Sequence, residues 1–345
     1  MTTARPLAAA LFCTADLLLS AQDEKVRWKT YAGVEKNQDG GFWYHKFVRG
    51  DAGSVVGMRT LTKSPVIGGM NQVTIDRTLV AFAIEGMKEI KSDKTKLLWG
   101  EGPVSLETIE HFNKQFRVIA TKADPETGKL LLIQQVQGPR SLTGKGAQLL
   151  AEIPFDRLGK SKEYFKPNQI TGFTTVVSVD STKMLLQLTP ESTVHKAGCP
   201  VYAHLFDKDM KTLWWNKLST DGNAKSIRIL DTQVDPKGAV WYLVKNVSDP
   251  EPKTKEELGY NFTIYRLDSA GQTAALLDLP GSEFAQDARM DMRIDGSITV
   301  AGVYSDDKMN RNESLGVFRC ALDASGNEPK FASFKLHPFA LRLDG

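Results

Sequence analysis

The stretch IRILDTQVDPKGAVWYLV (227–244) decides the fold. Strand-forming residues lie on either side of Asp235-Pro236-Lys237-Gly238, which reads as a β-hairpin closed by a tight turn. Three other segments follow the same plan: FRVIATKADPETGKLLLIQQV (116–136), FTTVVSVDSTKMLLQL (173–188) and MDMRIDGSITVAGVY (290–304). Their turn aspartates, Asp124, Asp180, Asp235 and Asp295, are 56, 55 and 60 residues apart. A second hairpin follows each, its turn opening with an apolar residue and Asp: Phe155-Asp156, Phe206-Asp207, Leu267-Asp268 and Leu322-Asp323. Two hairpins make four strands per repeat, and four-stranded units at this period are β-propeller blades, each burying its faces against its neighbours.

Weaker copies extend the series toward the N-terminus. FWYHKFV (42–48) and SVVGMRTL (54–61) flank the Arg49-Gly50-Asp51-Ala52-Gly53 turn, and VTIDRTLVAFAI (73–84) and KLLW (96–99) continue as strands. The mean period leaves room for about five and a half blades. The C-terminal LRLDG (341–345) matches MRIDG (292–296), as if another first hairpin stops at its turn. The expected fold class is therefore all-β, a β-propeller of about six four-stranded blades. Either the ring is truncated at its end, or its last strand completes the first blade.

The blade texts VSVDSTKMLLQL and TQVDPKGAVWYLVKN, each followed by hairpins such as FTIYRLDSAGQ, resemble the WD40-like propeller superfamily over residues 42–345. With its N-terminal leader the chain is similar to exported propeller proteins of the Bacteroidota without an assigned role. The likeness implies a fold and no catalytic motif. The WD dipeptide and partner histidine of true WD40 blades are absent, so a WD40-type adaptor role is not implied.

Residues 1–21, MTTARPLAAALFCTADLLLSA, place a basic residue before an apolar run and small residues before Gln22, the layout of a secretory signal peptide. The expected organisation is a leader over 1–21 and a propeller domain over 22–345, in a secreted or periplasmic protein. No later segment reaches the length of an apolar membrane span. Export would permit a disulfide between Cys199 and Cys320, and two buried thiols fit equally well. With 44 basic against 41 acidic side chains, 41% hydrophobic and 25% charged residues, the chain is an ordinary folded protein with no broad attraction for nucleic acid.

Motifs of known chemistry are missing. GPRSLTGKG (138–146) has the wrong glycine spacing and no hydroxyl for a phosphate loop. His45, His111, His195, His204 and His337 lack metal-ligand spacing, and SDDKMNRNES (305–314) misses the alternating positions of a calcium loop. No metal, cofactor or catalytic constellation is expected. The loop TPESTVHKAGCP (189–200) gathers Glu191, Thr193, His195 and Lys196, and is the candidate ligand-binding surface for a protein or glycan partner. The reading that follows is an exported, non-catalytic binding or assembly module. The alternative is an extracellular hydrolase or lyase whose acids converge in the propeller channel, with Asp76, Glu101, Asp287 and Asp291 as candidates.

Overall fold

The computed structural model describes residues 42–50, 53–63, 66–67, 70–71, 74–85, 88–93, 99, 104–144, 146–155, 170–190, 201–220, 226–247, 260–279, 283–305, 316–323 and 330–335. These form five four-stranded antiparallel sheets. The first blade comprises β1 (Phe42–Arg49), β2 (Ser54–Lys63), β5 (Thr74–Ala83) and β6 (Glu89–Asp93), with a small ribbon, β3 (Val66–Ile67) and β4 (Met70–Asn71), inserted after its second strand. The second comprises β7 (Ser105–Phe112), β8 (Gln115–Asp124), β9 (Lys129–Gln137) and β10 (Gln148–Pro154). The third comprises β11 (Ile170–Val177), β12 (Lys183–Pro190), β13 (Val201–Asp207) and β14 (Thr212–Leu218). The fourth comprises β15 (Ser226–Val234), β16 (Val240–Val247), β17 (Tyr260–Asp268) and β18 (Gly271–Leu276). The fifth comprises β19 (Phe284–Met292), β20 (Ile298–Ser305), β21 (Gly316–Leu322) and β22 (Lys330–Lys335).

Strand order within each blade follows the chain, and the first strands of consecutive blades touch: β1 meets β7, β7 meets β11, β11 meets β15 and β15 meets β19. Successive first strands packed side by side are the inner wall of a β-propeller. The core is divided accordingly. One apolar cluster joins blades one and two around Val56, Leu79, Ile109 and Val118, and a second joins blades two and three around Ile119, Leu132, Met184 and Phe206. A third joins blades three and four around Leu205, Val240 and Tyr265, and a fourth joins blades four and five around Trp241, Met290 and Phe318.

This layering explains the sequence texture. Middle strands are covered on both faces, so β13 and β16 are almost wholly buried and read as continuous apolar runs. Outermost strands β18 and β22 are mostly exposed.

The turns show how Asp writes the hairpins. In blade four the buried Asp235 carboxylate accepts the Ala239 amide at 2.9 Å and the Trp241 indole N–H at 3.3 Å, while Gly238 takes a φ of 94°. In blade three Asp180 accepts the Ser178 and Thr182 hydroxyls at 2.6 and 2.7 Å, with Ser181 at φ 57°. In blade five Asp295 accepts the Ser297 amide at 2.8 Å.

Blade two departs from the repeat as read in sequence. Its Asp124 turn joins the second and third strands, whereas Asp180, Asp235 and Asp295 join the first and second. The first turn of blade two is Asn113-Lys114, both residues with positive φ. Phe155 follows the blade's last strand instead of opening an internal hairpin. An Asp-capped turn works equally well at either position, so turn chemistry cannot count strands; the long connection after β10 restores the spacing. In blade one the fourth strand is Glu89–Asp93, and KLLW contributes Trp99, packed against the first interface outside any strand.

Candidate functional site

The inner wall carries one feature in all five blades. Each first strand holds an extra residue opposite its partner, a β-bulge: His45 in β1, Glu107 in β7, Thr171 in β11, Leu230 in β15 and Gln286 in β19. A bulge bends the strand and re-aims the side chains that follow it. The residues immediately after the bulges are Lys46, Thr108, Gly172, Asp231 and Asp287, a different side chain in each blade.

Two polar groups on this wall tie first strands of different blades to one another. In the first, the Lys46 ammonium of blade one donates to Glu110 Oε2 of blade two at 2.5 Å and to Thr175 Oγ1 of blade three at 2.6 Å. The Thr175 hydroxyl in turn donates to Glu110 Oε2 at 2.7 Å. Blades one and three thus meet across the first strand of blade two. Glu110 is nearly buried and Lys46 partly so, which leaves the pair less screened than an exposed one.

The second group joins blades four and five. Asp231 Oδ2 accepts the Met290 backbone N–H at 3.0 Å, tying one inner strand to the next. Burial pushes the Asp231 carboxyl above its ordinary range; the Met290 bond and the Arg289 guanidinium oppose that shift, and the Asp291 and Asp287 carboxylates reinforce it. Asp287 and Asp291 are exposed, and Arg289 stands 3.9 Å from Asp287. The group therefore sets a partly buried carboxyl with a raised pKa near two solvent-facing carboxylates and a guanidinium. Carboxyls perturbed by burial and by neighbouring charges cluster at functional sites.

Of the channel acids expected from sequence, Asp287 and Asp291 stand on the inner strand β19. Asp76 stands on β5, the third strand of its blade, and Glu101 lies outside the described residues. Sequence reading missed Asp231, Glu110 and Lys46. The available signal was their place on each blade's first strand, which the misplaced register of blade two obscured. Glu191, Thr193, His195, Lys196 and Cys199 lie outside the described residues, as do the leader and the acidic loop 306–314. Cys320 is a buried free thiol, its pKa pushed up to about 11 by burial. His204 is a packing residue: its ring stacks on Phe206 at 4.6 Å, contacts the Thr212 hydroxyl at 3.0 Å, and burial lowers its pKa to about 4. Trp214 donates its indole N–H to the Gly238 carbonyl of the next blade at 3.0 Å, while Trp215 is 45% exposed. Among the described residues no three His, Cys, Asp or Glu side chains are grouped to hold a metal, and no helix is long and apolar enough to cross a membrane.

No family model matches the sequence, and no curated protein matches it. Solved structures do. The β-propeller domain of the Trilobed protease from Pyrococcus furiosus is 10% identical at a TM-score of 0.41, over 84% of this chain and 70% of that one. Pyrococcus horikoshii acylaminoacyl peptidase is 11% identical at a TM-score of 0.40, over 84% of this chain and 39% of that one. Penicillium chrysogenum α-L-arabinanase, complexed with arabinobiose, is 10% identical at a TM-score of 0.39, over 84% of this chain and 92% of that one. The likeness is one of fold, and no residue is carried across from it. These matches are mostly enzymes or parts of enzymes, and the sequence reading of a non-catalytic binding or assembly module finds no support among them. That reading rested on the lack of a local motif, and the ground does not hold, because side chains that meet from different blades, as Lys46, Glu110 and Thr175 do, leave no contiguous motif.

Proposed function

We propose that this chain is a hydrolase of envelope polysaccharides acting outside the cytoplasm, with its acids on the inner wall of blades four and five. The observation that carries the reading is the raised Asp231 carboxyl beside the exposed carboxylates Asp287 and Asp291. A carboxyl with a raised pKa beside a second carboxyl group suits glycosidic bond cleavage. Asp231 gives its proton to the departing glycosidic oxygen. The Asp287 carboxylate takes a proton from a water molecule whose oxygen attacks the anomeric carbon. The C–O bond breaks, water's atoms are divided between the two products, and proton return from Asp287 to Asp231 resets the site. Arg289 stands 3.9 Å from Asp287. The leader-like layout of residues 1–21 supports the exported setting.

The test is release of new reducing ends from a panel of bacterial and plant polysaccharides by the purified protein. Wild type is expected to act on at least one substrate, Asp231→Asn to lose most of that rate, and activity to fall as pH rises past the Asp231 pKa. A folded protein that cleaves nothing on the panel, or an Asp231→Asn variant as fast as wild type, overturns the reading.

A further inference from the structure

Away from the inner wall, a cavity of about 410 Å³ opens between the second and third blades. One wall is the blade-two face carrying Gln115 and Arg117 on β8, Gln134 on β9 and Gln148 on β10; the mouth is the blade-three turn at Lys208 and Asp209. The Asn113 amide donates to the Lys208 carbonyl at 3.1 Å and closes the rim.

Arg117 is the anomaly. It is 4% exposed, yet no carboxylate lies within ion-pair distance of it among the described residues. Its two terminal nitrogens donate to neutral amide oxygens, Gln134 at 2.7 Å and Gln115 at 2.5 Å. Its Nε has no hydrogen-bond partner. Burial pulls its pKa down from the ordinary guanidinium value, and only the exposed Asp209 at the mouth opposes this. A buried cation without a counter-ion is a costly arrangement, and an N–H without an acceptor adds to the cost. The Arg117 side chain lies on the wall of one cavity whose size suits a small ligand.

We propose that this pocket binds a small hydroxylated carboxylate, with the Arg117 guanidinium as its anchor. A planar carboxylate accepting from the remaining hydrogens of the guanidinium supplies the missing counter-charge. The surrounding amides, linked through the Gln134-to-Gln148 bond of 3.3 Å, offer donors and acceptors to ligand hydroxyls. A free hydroxy acid and the uronic acid end of a polysaccharide share this chemistry. The site stands independently of the axial carboxylates and of any activity there.

Calorimetric titration of the full-length protein tests it with galacturonate, a short galacturonate oligomer, neutral galactose and inorganic phosphate. Saturable galacturonate binding is expected, at least about tenfold tighter than galactose. Tighter binding of the oligomer assigns the polysaccharide source, and weaker binding assigns the free acid. Arg117→Met is expected to abolish binding. Gln115→Glu guards against a folding defect in that variant: it places a carboxylate on Arg117, and should stabilise the unliganded protein while weakening galacturonate by about tenfold or more. Absence of galacturonate binding, phosphate binding tighter than galacturonate, or unchanged galacturonate affinity in Gln115→Glu overturns the proposal.

Discussion

The hairpin turns and the bulged inner strands use the same residue, aspartate, to opposite ends. At the turns, Asp124 and Asp295 are held below the ordinary carboxylate range, chiefly by the hydroxyls of Thr127 and Ser297. Asp180 also lies below that range: burial tends to raise it, and hydrogen bonds from Ser178 and Thr182 outweigh that tendency. On the inner wall, burial wins over one backbone bond and Asp231 is held above the range. The turn position repeats because three blades solve the same geometric problem with Asp. The position after the bulge repeats in geometry and varies in chemistry, from Lys46 to Thr108, Gly172, Asp231 and Asp287. In a repeat protein, equivalence of residue marks architecture, and equivalence of place with difference of residue marks where function is built.

Four substitutions sharpen or break that contrast, taken from the largest expected effect to the smallest. Gly302 of β20 lies under the β19 bulge, where an added Cβ would stand 2.0 Å from the Asp287 carbonyl and 2.7 Å from the Phe318 ring. Gly302→Val should cost about 3 kcal/mol in denaturant unfolding and disturb the inner wall. A cost near zero would mean the bulge tolerates displacement and does not fix Asp287.

Asp235→Ala strips a buried turn of its acceptor and leaves the Ala239 amide and Trp241 indole unpaired. It should cost about 2 kcal/mol by the same measurement.

Asp231→Asn has the opposite sign. The folded-state pKa of Asp231 lies above its ordinary 3.8, so the fold disfavours the charged form. That penalty is absent below the unfolded pKa, grows as pH rises from there to the folded value, and stays constant above it. Asparagine keeps an acceptor for the Met290 amide, so the variant should melt higher than wild type at pH 7 and lose that advantage by about pH 3. A variant less stable than wild type at pH 7 would show that Asp231 serves the turn-like, architectural role.

Asp124→Ala comes last. Its carboxylate is solvent-exposed, and water replaces the lost bonds from Glu126 and Thr127. The melting temperature should move by no more than a few degrees. A loss as large as that of Asp235→Ala would erase the distinction between exposed and buried turn aspartates.

The wall at blades four and five was half legible in the chain. Asp287 and Asp291 belong to an alternating strand beside a recognised turn, and that local context suffices to place them on a first strand. Asp231 lies in ILDTQV, four residues before the turn Asp235, and nothing local separates it from a solvated strand residue. Its bulge exists only in the pairing of Ile229 and Asp231 with Val244 and Leu243.

By itself the sequence determined the all-β class, the four-stranded unit and most turn positions, because strand propensity, apolar runs and Asx turns act over a few neighbouring residues. Only the tertiary structure decided which strand of blade two comes first, that Lys46, Glu110 and Thr175 meet from three blades, and that Arg117 is buried without a counter-charge. Those facts depend on register and on packing between blades some sixty residues apart, where burial and electrostatics act through space and leave no local trace along the chain.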